Sequence, residues 1–153
     1  MILVDYQVAC RNGGWPARGD VQSWVEAALE GERDTAEVVV RVVDADEAET
    51  LNRSFRGRDY ATNVLSFPFE APPGFEDEPE LGDLVICAAV VARESAEQGK
   101  SLDAHWAHMV IHGTLHLLGY DHMNEDDARI MEDREREILA RFGIGDPYAA
   151  GLE

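Results

Sequence analysis

Between Ser101 and His122 the chain carries every histidine it has: His105, His108, His112, His116 and His122. At about 100° per residue the first four fall within one arc of about 80° on a helix. The stretch therefore reads as a helix with a row of imidazoles along one side. Residues four apart on a helix have Cβ atoms about 6 Å apart, so His112 and His116 can reach one metal ion. Gly119 stands where that helix should stop, and glycine takes the left-handed conformation that reverses a chain after a helix. The reversal would fold Tyr120, Asp121 and His122 back and bring a third imidazole to the same point. Three neutral imidazoles and a water are the usual catalytic zinc arrangement, whereas structural zinc sites have four protein ligands, several of them thiolates. Cys10 and Cys87 stand far away, each alone in an apolar context, and read as buried free thiols with no chemistry assigned. One Zn2+ ion per chain is thus expected on His112, His116 and His122, with His105 and His108 as core residues or partners of the ligands.

The rest of the chain supplies strands and helices for that helix to pack against. Ile2, Val4, Tyr6 and Val8 alternate as in a half-buried strand. The loop from Arg11 to Pro16 leads to a helix capped by Asp20, with Val21, Trp24, Val25, Ala28 and Leu29 on one face and Gly31 as its stop. Glu37–Val43 is a β-branched run that suits a covered strand, and a helix starting at Asp44 or Asp46 follows. Tyr60–Phe69 holds a short apolar stretch cut by Pro68, the mark of an edge strand or strand end. Five acids and three prolines within residues 70–80 make an exposed loop. Leu84–Cys87 reads as a fourth strand, and a helix then runs to Gly99. Asn124 to about Phe142 forms the last helix, with Glu125, Asp126 and Asp127 in its first turn and Gly143 just past its end. At 153 residues this amounts to a single α+β domain over 1–153, a small mixed β-sheet packed by helices.

Charge narrows the function. A net charge of −18 opposes nonspecific binding to nucleic acid, so any phosphate contact must be local. Lys100 is the one lysine among 13 basic residues, and Arg53, Arg56 and Arg58 fall within six positions. That arginine cluster is the concentrated candidate. No apolar run approaches the roughly 20 residues of a membrane helix, and the N-terminus has no secretory signal pattern, so a cytoplasmic location is expected.

The spacing His-x3-His-x5-His, with glycine at the eighth position, is similar to that of the metzincin peptidases and marks the segment as a metzincin-like zinc helix. Those enzymes place a general-base glutamate directly after the first histidine, and here that position is Gly113. Peptide hydrolysis would lack its usual proton acceptor. Phosphodiester hydrolysis, in which a metal supplies both Lewis acid and low-pKa water, is less damaged. Asp121 is nearby and suits the task of orienting a ligand histidine.

His112-Gly-Thr-Leu-His-Leu-Leu-Gly-Tyr-Asp-His122 resembles the signature of the YbeY family, bacterial endoribonucleases that act in ribosomal RNA maturation. Leu51–Asp59, Thr62–Phe69, Leu81–Cys87 and Glu97–Lys100 extend the resemblance over most of the chain from residue 37 on. Phe55 stands where tyrosine is common and Arg58 where lysine is common, which keeps the charge. The resemblance implies that His112, His116 and His122 bind zinc and that Arg56 is the functional arginine. It implies cleavage of single-stranded RNA in 3′-end maturation of small-subunit ribosomal RNA and in ribosome quality control. The implied partners are ribosomal RNA and the small ribosomal subunit with its assembly proteins, with no DNA and no membrane. The alternative is a ribosome-assembly factor whose zinc is mainly structural and whose nuclease activity is weak. Independently of the resemblance, a guanidinium at 56 can grip a phosphate bidentately and stabilise charge building on it. Phe67 and Phe69 could stack on bases but suit core packing, and Ser66 is a strand or turn hydroxyl that could touch phosphate.

Overall fold

The valine run of residues 38–43 lies at the heart of a four-stranded sheet. The computed structural model describes residues 1–11, 14–57, 62–75 and 78–149. Its strands are β1 (Ile2–Ala9), β2 (Ala36–Val43), β3 (Val64–Pro68) and β4 (Glu80–Cys87), in the order β1-β2-β4-β3. β1, β2 and β4 run parallel, with Val4 opposite Val38, Val40 opposite Leu84 and Val42 opposite Ile86. β3 runs antiparallel to β4 at the edge, where Pro68 lacks no needed hydrogen bond. The mixed sheet packed by helices is the α+β arrangement expected.

Alternation assigns the two faces. Val38, Val40, Val42, Leu84 and Ile86 point into the larger core, under α1 (Arg18–Leu29) and α4 (Leu102–Leu117). Val43, Leu65, Val85 and Cys87 point the other way, against Ala48 of α2 (Ala45–Arg56) and Val90 of α3 (Ala88–Glu97). α5 (Glu125–Ala140) closes the larger core through Met131, Ile138 and Leu139. α1 buries the five residues its periodicity selects.

Several boundaries differ from expectation for physical reasons. α1 begins at Arg18 with Ala17 in the cap position, so Asp20 sits in its first turn rather than capping it. Asp44 does occupy the cap position of α2, but its carboxylate accepts from Cys10 Sγ at 3.0 Å and from the Arg11 N–H, not from its own helix. Cys10 is therefore half-buried and engaged, not the buried thiol expected, while Cys87 is buried as expected; neither is in a disulfide. β4 starts at Glu80, four residues before the apolar run, because Leu81 points inward while Asp83 stands on the uncovered face. The described part of 70–79 is almost wholly exposed. Asn12, Gly13, Arg58, Asp59, Tyr60, Glu76 and Asp77 lie outside the described residues, and with them the Arg58 candidate and the first residue of the 60–69 stretch.

α4 is wedged between α1, α3, α5 and the sheet, and eleven of its sixteen residues are buried. Ser101 caps it, its hydroxyl accepting from the Ala104 N–H. Its C-terminal turn leaves His112 and His116 half-exposed at one end of the molecule.

Candidate metal centre

Gly119 makes the reversal that its sequence position predicts. It takes φ +105°, its N–H donates to the His116 carbonyl at 3.0 Å, and the Tyr120 N–H donates to the Leu115 carbonyl at 3.0 Å. This pair of bonds is the Schellman arrangement, which satisfies the orphan carbonyls of a helix end. The returning chain is fixed again when the Asp121 carboxylate accepts the His122 N–H at 2.7 Å. Asn124 then caps α5.

The three imidazoles converge. Ring centroids lie 4.7 Å apart for His112 and His116, 5.1 Å for His116 and His122, and 5.8 Å for His112 and His122. One nitrogen from each lies within 4.8 Å of the others, so the cluster could hold a metal ion. Burial, aided by the neighbouring His112 and His122, pushes the His116 pKa below its ordinary value and keeps the ring in its neutral, ligating form.

Glu135, missed in the sequence, fixes the orientation of His112. Its carboxylate is fully buried on the inner face of α5 and accepts from His112 Nδ1 at 2.6 Å. With Nδ1 so engaged, Nε2 is the nitrogen left for a metal. His108 Nε2 lies 3.3 Å from the same carboxylate oxygen, and the Tyr148 hydroxyl donates to the other. Burial works to raise the Glu135 pKa, but its hydrogen bonds with His108 and His112 outweigh it and hold the value at about 2. The signal was present: Met131, Glu135, Ile138 and Leu139 fall at helical spacing, which places one acid on an apolar face. Asp121, assigned that orienting task from sequence, instead binds the His122 backbone.

His105 and His108 face inward, 2% and 7% exposed. His105 Nε2 lies 2.9 Å from Glu94, whose carboxylate also accepts from Asn63. His108 joins the Glu135 and Tyr148 group.

The cluster opens into a cleft of about 720 Å³ lined also by Arg56, Asn63, Ser66, Asp121 and Met123. Arg56, in the last turn of α2, is exposed and has no ion-pair partner among the described residues. Arg53 pairs with Glu49 at 2.9 Å and does not line the cleft. Ser66 donates to the Gly113 carbonyl at 3.3 Å, tying β3 to α4. Phe67 packs with Phe55 and the smaller core; Phe69 is exposed beside Leu3 and Asp5 on the far face. Gly113 faces the sheet, and a Cβ there would come within 2.8 Å of Leu84. A side chain after the first histidine would have to displace Leu84, so glycine at 113 fits the close packing of α4 on the sheet.

A central helix and a glycine turn that gather three histidines over an arginine-lined cleft define a hydrolase-type centre able to hold a metal. A sequence model described as Endoribonuclease YbeY matches residues 16–143. Endoribonuclease YbeY of Stutzerimonas stutzeri (strain A1501) is 56% identical over 149 residues, covering 97% of this chain and 92% of that one. The solution structure of TM1509 from Thermotoga maritima matches with a TM-score of 0.60 at 26% identity, over 94% of this chain and 92% of that one. The chain belongs to the YbeY family of endoribonucleases, and is by class a hydrolase. No helix among the described residues is long and apolar enough to cross a membrane.

Proposed function

We propose that the protein is a zinc-dependent endoribonuclease that cuts single-stranded RNA. The observation that carries this reading is the convergence of His112, His116 and His122 within 4.8 Å at a cleft that Arg56 also lines. The donor set fits zinc: three neutral nitrogens, one of them backed by a buried carboxylate, with no thiolate. Bound there, the ion would polarise a phosphoryl oxygen and lower the pKa of a water.

The chain's own residues supply the rest. Arg56, with no ion-pair partner among the described residues, presents a planar guanidinium to the cleft, suited to gripping a nonbridging phosphate oxygen pair and the charge that grows on it. Asp121 is the one carboxylate among the described residues lining the cleft. Its Oδ1 is taken by the His122 N–H, which leaves Oδ2 to accept a proton. Glu135 holds His112 with Nε2 forward throughout. The openness of the cleft suits an unpaired strand, and one guanidinium among the described residues of its lining, in a chain of net charge −18, suits a local rather than a distributed contact. Working in the cytoplasm, the enzyme would act on the 3′ end of small-subunit ribosomal RNA and in ribosome quality control, with the small subunit and its assembly proteins as partners.

The test is cleavage of a labelled single-stranded RNA by purified protein, before and after stripping metal with a chelator and after adding zinc back. Activity lost and restored supports the reading. Activity indifferent to the chelator, with zinc shown to have left, overturns it.

A further inference from the structure

We infer that Tyr148 is a positioning residue of the metal centre, through which the C-terminal segment sets how long His112 keeps its metal. This rests on the reading of His112 as a ligand. Tyr148 stands beyond residues 16–143, the segment that the family model matches, so that match assigns it nothing.

The geometry is specific. The Tyr148 hydroxyl has one proton, and it donates that proton to Glu135 Oε1. Its oxygen lies 3.2 Å from His108 Nε2, which also lies 3.3 Å from Glu135 Oε2. His108 Nδ1 is buried without a partner among the described residues, so the proton of this ring belongs on Nε2, where it is shared between the tyrosine and the carboxylate. Both oxygens of Glu135 are then filled, Oε1 by Tyr148 and Oε2 by His112 Nδ1–H at 2.6 Å. A carboxylate held at both ends cannot rotate about its Cγ–Cδ bond. It therefore keeps a fixed acceptor in front of His112 Nδ1 and selects the tautomer whose Nε2 carries the lone pair.

Tyr148 is itself held in place. Its N–H donates to Asp146 Oδ1 at 2.8 Å, Asp146 Oδ2 accepts from Arg136 at 3.0 Å, and the Arg136 guanidinium lies 5.3 Å from the Tyr148 ring centroid. The ring also meets His108 edge-on, with centroids 5.4 Å apart. Arg136 and Glu135 are neighbours on α5, so the tail is clamped to the same helix turn that carries the carboxylate.

Tyr148→Phe removes one oxygen and keeps both ring contacts. Released from one donor, Glu135 can turn, and His112 loses its enforced orientation. Second-sphere losses of this kind typically weaken metal binding about 10-fold or more. Zinc release into a chromophoric chelator is followed for the wild type, Tyr148→Phe, Glu135→Gln and the double variant. The expected result is release about 10-fold faster for Tyr148→Phe, and no further acceleration when it is added to Glu135→Gln. In the metal-free proteins, nitrogen-15 NMR should show His112 wholly as the Nδ1–H tautomer in the wild type and as a mixture in Tyr148→Phe. Wild-type release from Tyr148→Phe overturns the inference. So does an equal acceleration in both backgrounds, which would mean that the tyrosine acts by packing alone. A wild-type protein that holds no zinc at all would overturn the functional reading instead.

Discussion

Replacing Glu135 with glutamine keeps the volume of a fully buried side chain and removes its charge. A carboxylate accepts at both oxygens, whereas an amide accepts at one and donates at the other. If the amide oxygen faces His112, the Tyr148 hydroxyl must turn its proton elsewhere. If the amide nitrogen faces His112, the ring must present a bare Nδ1 and its proton moves to Nε2, where the metal should bind. Either way a 2.6 Å bond to a charged acceptor is lost or weakened, and such bonds contribute about 1.5–3 kcal/mol. Taking about 2 kcal/mol as the part felt by the bound metal, the zinc dissociation constant should rise about 30-fold. Competition with a chromophoric chelator measures it, with circular dichroism to show that α4 and α5 persist. Alanine is the poorer probe, because stripping one partner from a buried ionic group costs about 3–5 kcal/mol and endangers the fold. A glutamine variant that folds and binds zinc within twofold of the wild type would refute the idea that the carboxylate selects the ligand tautomer.

His122→Ala should empty the centre by more than the roughly 100-fold of second-sphere losses yet leave the melting curve of the metal-free protein unchanged, since His122 is exposed; elemental analysis and calorimetry check both halves. Arg56→Ala should keep its zinc and lose about 100-fold or more in single-turnover RNA cleavage, and wild-type cleavage would make Arg56 a surface residue. Gly119→Val meets no neighbour but must hold φ +105°, so urea denaturation should show a loss of about 1–3 kcal/mol together with weaker zinc binding. Asp83→Asn bears on the uncovered sheet face, where burial and then Asp5 push the Asp83 pKa up. A raised folded pKa in an acid means that the fold disfavours the charged form. The asparagine variant should therefore be more stable at neutral pH, by under about 1 kcal/mol at so exposed a site. The gain should vanish as pH falls through the folded pKa, whereas a gain constant down to pH 3 would exclude this cause.

What the sequence disclosed follows from how local each signal is. α1 and α4 were legible because their periodicity lies within one element, and the turn at Gly119 because a single residue type marks it. The start of β4 was hidden because Glu80, Gly82 and Asp83 resemble loop residues, and only the sheet explains an acid at 83 on its uncovered face. Asp20 and Asp44 were sound capping chemistry, but Asp44 spends its carboxylate on Cys10 and Arg11 of a distant strand end. The convergence of the three histidines was readable from eleven consecutive residues. Its supporting carboxylate, 23 residues from His112, becomes visible only when α5 is drawn as a wheel, and Tyr148 follows no period at all. Arg56 entered the cleft through resemblance, since nothing in its local sequence separates it from Arg53.

Strand β3 has one neighbour in the sheet, and that neighbour is made after it. A ribosome adding about 5–20 residues per second leaves the cleft's edge strand unmatched for a second or more, until residues 80–87 emerge. Throughout that interval Val64, Leu65 and Phe67 form an apolar β-prone segment able to pair with another chain. Pro68 cannot extend such a pairing, and the acids and prolines of 70–80 follow immediately. Residues of this kind beside a sticky strand act as gatekeepers against aggregation. The acids and prolines that follow β3 in the chain thus oppose its pairing with another chain before β4 is made.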